Sequence, residues 1–165
     1  MAVDAQRIDR PRARRPGSVV GIVVADFHAE LTGAMAASAE RELLAAGVEE
    51  DDVVVVHVPG SFELPIVARR LAASGEVDAV LCFGLVLRGE TEHDRWVTQG
   101  CIQGLVAASL ETDVPIHLGV LTCATLEQAR ARALPPEAGG REDKGREVAR
   151  AAIETLLALD EIEEL

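Results

Sequence analysis

Apolar residues along this chain fall in short unbroken runs rather than in alternation. Ser18–Ala25 (SVVGIVVA), Val53–Val58 (VVVVHV), Val77–Leu87 and Pro115–Thr122 each carry a continuous aliphatic core. Runs of that length suit strands buried on both faces. Between them lie stretches rich in Ala, Leu, Glu and Arg, which predict helices. The first spans about residues 31–46 and stops at Gly47. The second spans Phe62–Ala73, with Pro65 in its first turn and a stop near Gly75. His93–Leu110 and Leu126–Ala133 follow, then a polar loop from Pro135 to Asp143 and a last helix over Lys144–Leu159.

Strands thus alternate with helices in the order βαβαβαβα, which calls for an α/β fold: a parallel four-stranded sheet covered by helices on both faces. In such sheets ligands bind beyond the carboxyl ends of the strands. No internal repeat or domain linker interrupts the pattern. The expected organisation is an Arg/Pro-rich tail over residues 1–17 and one domain over 18–165.

Composition narrows the picture. The chain has 165 residues, enough to bury roughly two-thirds of its unfolded surface. Aromatic residues are only 2%, namely Phe27, Phe62, Phe83 and Trp96, so each is conspicuous. A formal net charge of −12 argues against nucleic-acid binding. Arg7, Arg10, Arg12, Arg14 and Arg15 crowd the start of the chain. They read as a surface-draped or disordered tail, with a nucleic-acid arm or targeting segment as alternatives. No apolar run reaches the ~18 residues needed to span a membrane. Cys82, Cys101 and Cys123 are odd in number and widely spaced, which suits reduced thiols in the cytoplasm.

Candidate chemistry gathers at the predicted strand ends. Phe27-His28 follows the first strand, Gly60-Ser61-Phe62-Glu63 the second, Arg88 to His93 the third, and Thr122-Cys123 the fourth. Gly89-Glu90-Thr91 is either a plain turn or a short anion cradle at a helix start. Glu90 opposes an anion unless its side chain points away. His93 is either exposed in a first helical turn or a proton carrier near neutral pH. His28, His57 and His117 read as surface or rim residues, and no pair has metal-ligand spacing. Glu63 either complements a helix dipole or accepts hydrogen bonds from hydroxyl groups. Phe27 either packs beneath its loop or stacks on a flat heterocycle. Arg132 and Lys144 flank the polar loop, as solvated charges or as partners of a phosphate. Neither dinucleotide nor P-loop glycine motifs occur.

Several segments together resemble the lumazine synthase family of riboflavin biosynthesis: GIVVADFH (21–28), VPGSFELP (58–65), GLVLRGETEH (84–93), LGVLTCATLEQARARA (118–133) and EDKG (142–145). The resemblance covers nearly the whole chain from Ser18. It implies a flavodoxin-like three-layer αβα sandwich with a central parallel four-stranded sheet. It implies condensation of 5-amino-6-(D-ribitylamino)uracil with 3,4-dihydroxy-2-butanone 4-phosphate, giving the lumazine, phosphate and water, without cofactor or metal. It also implies a homopentamer with active sites between subunits, in some members a 60-subunit shell, and functional coupling to riboflavin synthase.

By the same resemblance, Phe27 stacks on the pyrimidine, with His28 beside it. Ser61 and Glu63 hold the ribityl chain near backbone groups of Gly60 and Phe62. Val86 and Leu87 contact the pyrimidine through their backbone, and Leu118 faces the substrate from the neighbouring subunit. Glu90 and Thr91 bind phosphate, closed by Arg132 of the adjacent subunit, and Lys144 adds positive charge. His93 moves protons. Asp26, Glu90, Leu118 and the run Asp94-Arg95-Trp96 depart from the family's usual residues. Those departures leave open a lumazine- or flavin-binding or shell-forming relative with lost or altered synthesis, or another flavodoxin-like binding module.

Overall fold

The four apolar runs form strands β1 (Val20–Ala25), β2 (Val53–Val58), β3 (Ala79–Leu87) and β4 (Ile116–Cys123) in a computed structural model, which describes Ala13 and residues 15–165. Helices α1 (Ala29–Ala45), α2 (Leu64–Ala72), α3 (His93–Thr112), α4 (Leu126–Ala133) and α5 (Lys144–Glu163) alternate with them as the pattern predicts. The strands pair in the order β2-β1-β3-β4 and all run parallel.

Aliphatic continuity in the strands follows from this order. β1 and most of β3 lie in the middle of the sheet and are buried on both faces. Ile22, Leu81 and Phe83 pack on one face against Leu31 and Met35 of α1, Ala129 of α4 and Ile153 of α5. Val23, Val80 and Cys82 pack on the other against Leu64 of α2 and Cys101 and Leu105 of α3. Each large side chain buried in this way contributes about 1.5–3 kcal/mol of transfer free energy. The result is the three-layer α/β/α sandwich expected, with flavodoxin-like strand order.

Boundaries shift where backbone geometry outweighs periodicity. α1 starts at Ala29 because His28 adopts a left-handed conformation (φ 64°) and turns the chain into the helix. Ser61–Glu63 form a 3-10 turn, so α2 begins at Leu64. α5 continues past Leu159 to Glu163 although its last turn is exposed. The predicted tail lies mostly outside the described residues. Arg15, at its end, is fixed: its guanidinium donates to Asp160 at 2.7 and 2.8 Å and to Ser18 Oγ at 2.7 Å.

His117 corrects the surface position expected of it. Alternation along β4 puts it on the same side as Leu121 and Cys123, which belong to the core beneath α1 and α5. Its Nε2 is sealed from solvent without a hydrogen-bond partner among the described residues. Burial lowers the imidazole's proton affinity below its ordinary value of 6.5. The unfolded chain therefore accepts a proton here that the folded chain resists. This stabilisation is present above pH 6.5 and is lost as pH falls below it. Urea unfolding from about pH 7.5 down to about pH 5.5 should show the chain losing more stability than a His117→Leu variant; parallel profiles would contradict the burial argument.

Candidate active site

β1 is shorter at its carboxyl end than its neighbour. Its last pair with β3 joins Val24 to Phe83, yet β3 runs on to Leu87, paired with Cys123 of β4. Arg88 N extends that ladder by donating to Cys123 O at 2.9 Å. Beyond Ala25 the chain stays with β2 instead: Asp26 N donates to Val58 O at 2.8 Å and Phe27 N to Pro59 O at 3.1 Å. α1 then leaves on one face of the sheet while α2 and α3 occupy the other. A cleft of about 480 Å³ opens at this switch point.

Nine of the residues predicted for the site line the cleft. Phe27 and His28 come from the β1 end, and Gly60, Ser61, Phe62 and Glu63 from the turn after β2. Val86 and Leu87 come from the end of β3, and His93 from the first turn of α3. Pro59, Leu85, Asp94 and Val97 complete the wall. Val97 follows His93 by four residues on α3, so helical spacing puts both on one face; the i,i+4 relation was the available signal for it.

Ser61 is buried at 6% exposure because Gly84 of β3 lets it in. A Cβ at Gly84 would collide with Ser61 Oγ and press on Leu64 Cδ1 at 3.1 Å. The Glu63 carboxylate folds back over Gly60, so that a Cβ there would meet Oε2 at 3.2 Å. Two rings border the same cleft. Phe27 is 67% exposed and Phe62 61%, large apolar areas left in water at the mouth of one cleft. Phe27 therefore does not pack beneath its loop. Its ring meets His28 edge-on, centroids 4.5 Å apart at 64°. Flat apolar surface beside hydroxyl- and carboxylate-bearing side chains suits a ring ligand that carries a polyol.

The remaining predicted residues lie outside the cleft of this chain. Glu90 and Thr91 are exposed in the loop between Leu87 and His93, where the free N–H groups of α3 begin. Thr91 Oγ1 accepts a long 3.4 Å bond from His93 N. Arg132 stands on the last turn of α4, where it donates to Gln128 O at 3.2 Å and lies 4.0 Å from Glu142. Its charge reaches Cys123 at the sheet's margin: burial raises the proton affinity of that thiol, and Arg132 opposes the rise. Lys144 opens α5, its ammonium 2.8 Å from Glu147. Behind it Asp143 is buried, takes the left-handed conformation and caps the helix through Arg146 N, bound also to Ser38 of α1. Leu118 sits on the edge strand β4, 46% exposed. Among the described residues no cluster of three or more His, Cys, Asp or Glu is arranged to hold a metal ion.

The family profile described as 6,7-dimethyl-8-ribityllumazine synthase matches residues 17–160. The chain is 47% identical over 143 residues to the protein of that name from Kineococcus radiotolerans, covering 87% of this chain and 86% of the relative. It is 43% identical over 147 residues to that of Levilactobacillus brevis, covering 88% and 90%. It is 43% identical over 145 residues to that of Streptomyces coelicolor, covering 88% and 87%.

The contact at Gly84 makes a direct prediction. Gly84→Ala should cost about 1–3 kcal/mol of stability by overpacking and push Ser61 into the cleft. Adding Ser61→Gly should recover most of that loss in urea unfolding. A fully stable Gly84→Ala single variant would contradict the close approach.

Proposed function

The chain belongs to the 6,7-dimethyl-8-ribityllumazine synthase family, and we propose that it is a transferase of riboflavin biosynthesis. It condenses 5-amino-6-(D-ribitylamino)uracil with 3,4-dihydroxy-2-butanone 4-phosphate and releases the lumazine, phosphate and water. The observation that carries this reading is the cleft itself, which gathers a stacking ring (Phe27), a buried hydroxyl (Ser61), a carboxylate (Glu63) and a histidine (His93).

Phe27 stacks on the pyrimidine, with His28 along its edge. Ser61 and Glu63 take hydroxyls of the ribityl chain, while backbone groups of Gly60, Phe62, Val86 and Leu87 orient the ring. His93 moves protons during Schiff-base formation and phosphate elimination. The loop at Glu90 and Thr91 takes the phosphate through backbone N–H groups at the start of α3. The side chain of Glu90 must turn outward for this, and its exposure leaves it free to do so.

Arg132, Lys144 and Leu118 complete the cleft of a neighbouring chain in a homopentamer. Their positions away from their own cleft support this arrangement. So do the apolar side chains that one chain leaves in water: Val54 and Val55 on β2, Leu118 on β4, Val106 and Leu110 on α3. Some assemblies of this type close as sixty-subunit shells, and the same edges would serve one here. The lumazine then passes to riboflavin synthase. Three free, buried cysteines suit a cytoplasmic setting, and no helix among the described residues is long and apolar enough to cross a membrane.

Supplying both substrates should produce the absorbance and fluorescence of the lumazine. His93→Ala should lower turnover about 10²-fold or more while the assembly sediments unchanged, since general acid–base catalysis is typically worth ~10²–10⁴-fold. Absence of product from the parent protein would sink the assignment, and equal rates would remove His93 from proton transfer.

A further inference from the structure

Phe27 carries its ring mostly in solvent. It is 67% exposed, and its ring contact is with His28, the next residue. The position of the ring therefore depends on the loop that carries it. Below the loop, Thr32 Oγ1 donates to Ala25 O at 2.6 Å. Beyond it, Arg130 of α4 meets Glu30 at 3.0 Å. Next to Phe27's own contacts lies a side-chain bond across the strands: His57 Nδ1 of β2 is 2.7 Å from Asp26 Oδ1. Asp26 directly precedes Phe27, and His57 lies two residues before Pro59, whose carbonyl accepts from Phe27 N. Neither Asp26 nor His57 lines the cleft.

We propose that the Asp26–His57 bond is a clamp that positions Phe27 for the ring substrate and takes no part in binding phosphate. The inference rests on the reading of the cleft as a ring-binding site. The clamp works through its place in the loop. It ties the residue before the stacking ring to the strand that carries the polyol-binding turn, so the ring and the hydroxyl-binding groups keep a fixed separation. The phosphate loop leaves from the carboxyl end of β3, and among the described residues no hydrogen bond or ion pair joins it to Asp26 or His57. Both partners are exposed, His57 at 62% and Asp26 at 59% of their side chains, so the bond is worth little to overall stability. A small energy still matters at a loop that carries one ring.

The test uses His57→Ala, Asp26→Ala, the double variant and His57→Gln, which keeps a donor toward Asp26. The ring probe is 6,7-dimethyl-8-ribityllumazine, titrated by its own fluorescence. The phosphate side is read as KM for 3,4-dihydroxy-2-butanone 4-phosphate. Each alanine variant should raise the lumazine Kd about two- to fivefold, the range an exposed hydrogen-bonded pair supports. The double variant should be no weaker than either single, and His57→Gln should stay near the parent. KM for the four-carbon phosphate should not move. Unchanged lumazine affinity, additive losses in the double variant, a His57→Gln as weak as His57→Ala, or an equal rise in the phosphate KM would each overturn the clamp. If the parent itself fails to bind lumazine, the ring-site reading falls and takes the clamp with it. Parent binding with unchanged variants overturns the clamp alone.

Discussion

The short carboxyl end of β1 is the constraint on which the site depends. β1 stops pairing with β3 at Phe83, while β3 and β4 continue together to Leu87 and Cys123. Had β1 continued, its backbone would fill the space that Phe27, Val86 and His93 now border. Polar Asp26 ends the buried run, and the left-handed turn at His28 sends the chain into α1 on one face. The next two helices cover the opposite face. A notch between diverging layers is the outcome, walled on one side by strand ends and on the other by a helix start. Parallel sheets of this kind put their ligand sites here because nothing else covers the strand ends.

The cleft combines opposite surface properties within one small volume. Phe27 and Phe62 expose ring surface that water disfavours, while Ser61 and Glu63 offer groups that seek hydroxyls. That pairing fits a ligand with a flat ring and a polyhydroxy tail better than a uniformly apolar one. Positive charge is arranged differently. The chain is acidic overall, at −12, and none of the described residues lining its cleft is Lys or Arg. Arg132 and Lys144 stand on helices of the other face, each beside a glutamate of the same chain. An anion bound at the Glu90-Thr91 loop gains backbone N–H donors from its own chain. On the proposed reading it gains a full cation only from a second chain. On the same proposed reading, contact between chains would cover the exposed valines and leucines along the sheet edges.

Much of this was legible in the sequence because burial on both faces leaves a simple signature. The runs Ser18–Ala25 and Val77–Leu87 carry polar residues only near their starts and none to alternate with, and their apolar stretches became the central strands. Strand-end residues were legible for a related reason, since Asp26, Pro59 and Arg88 interrupt those runs where the chain leaves the sheet. Contacts between residues distant in sequence were not legible. The Asp26–His57 bond, the Ser38–Asp143 bond and the sealed Nε2 of His117 depend on which strands and helices become neighbours. Local propensity carries no information about that. Helix ends shifted for the opposite reason: single backbone conformations at His28 and Ser61–Glu63 decided them.

On the proposed reading the cleft is built by one chain and supplied with its cation by another. Mixing two impaired variants puts this to the test. His93→Ala and Arg132→Ala chains are each nearly inactive alone on this account, but a mixed ring contains sites that join an intact His93 to an intact Arg132. Equal mixing should restore roughly a quarter of the parent rate, the chance of that adjacency in a randomly assembled ring. A mixture no more active than its two components measured separately would contradict a site shared between chains.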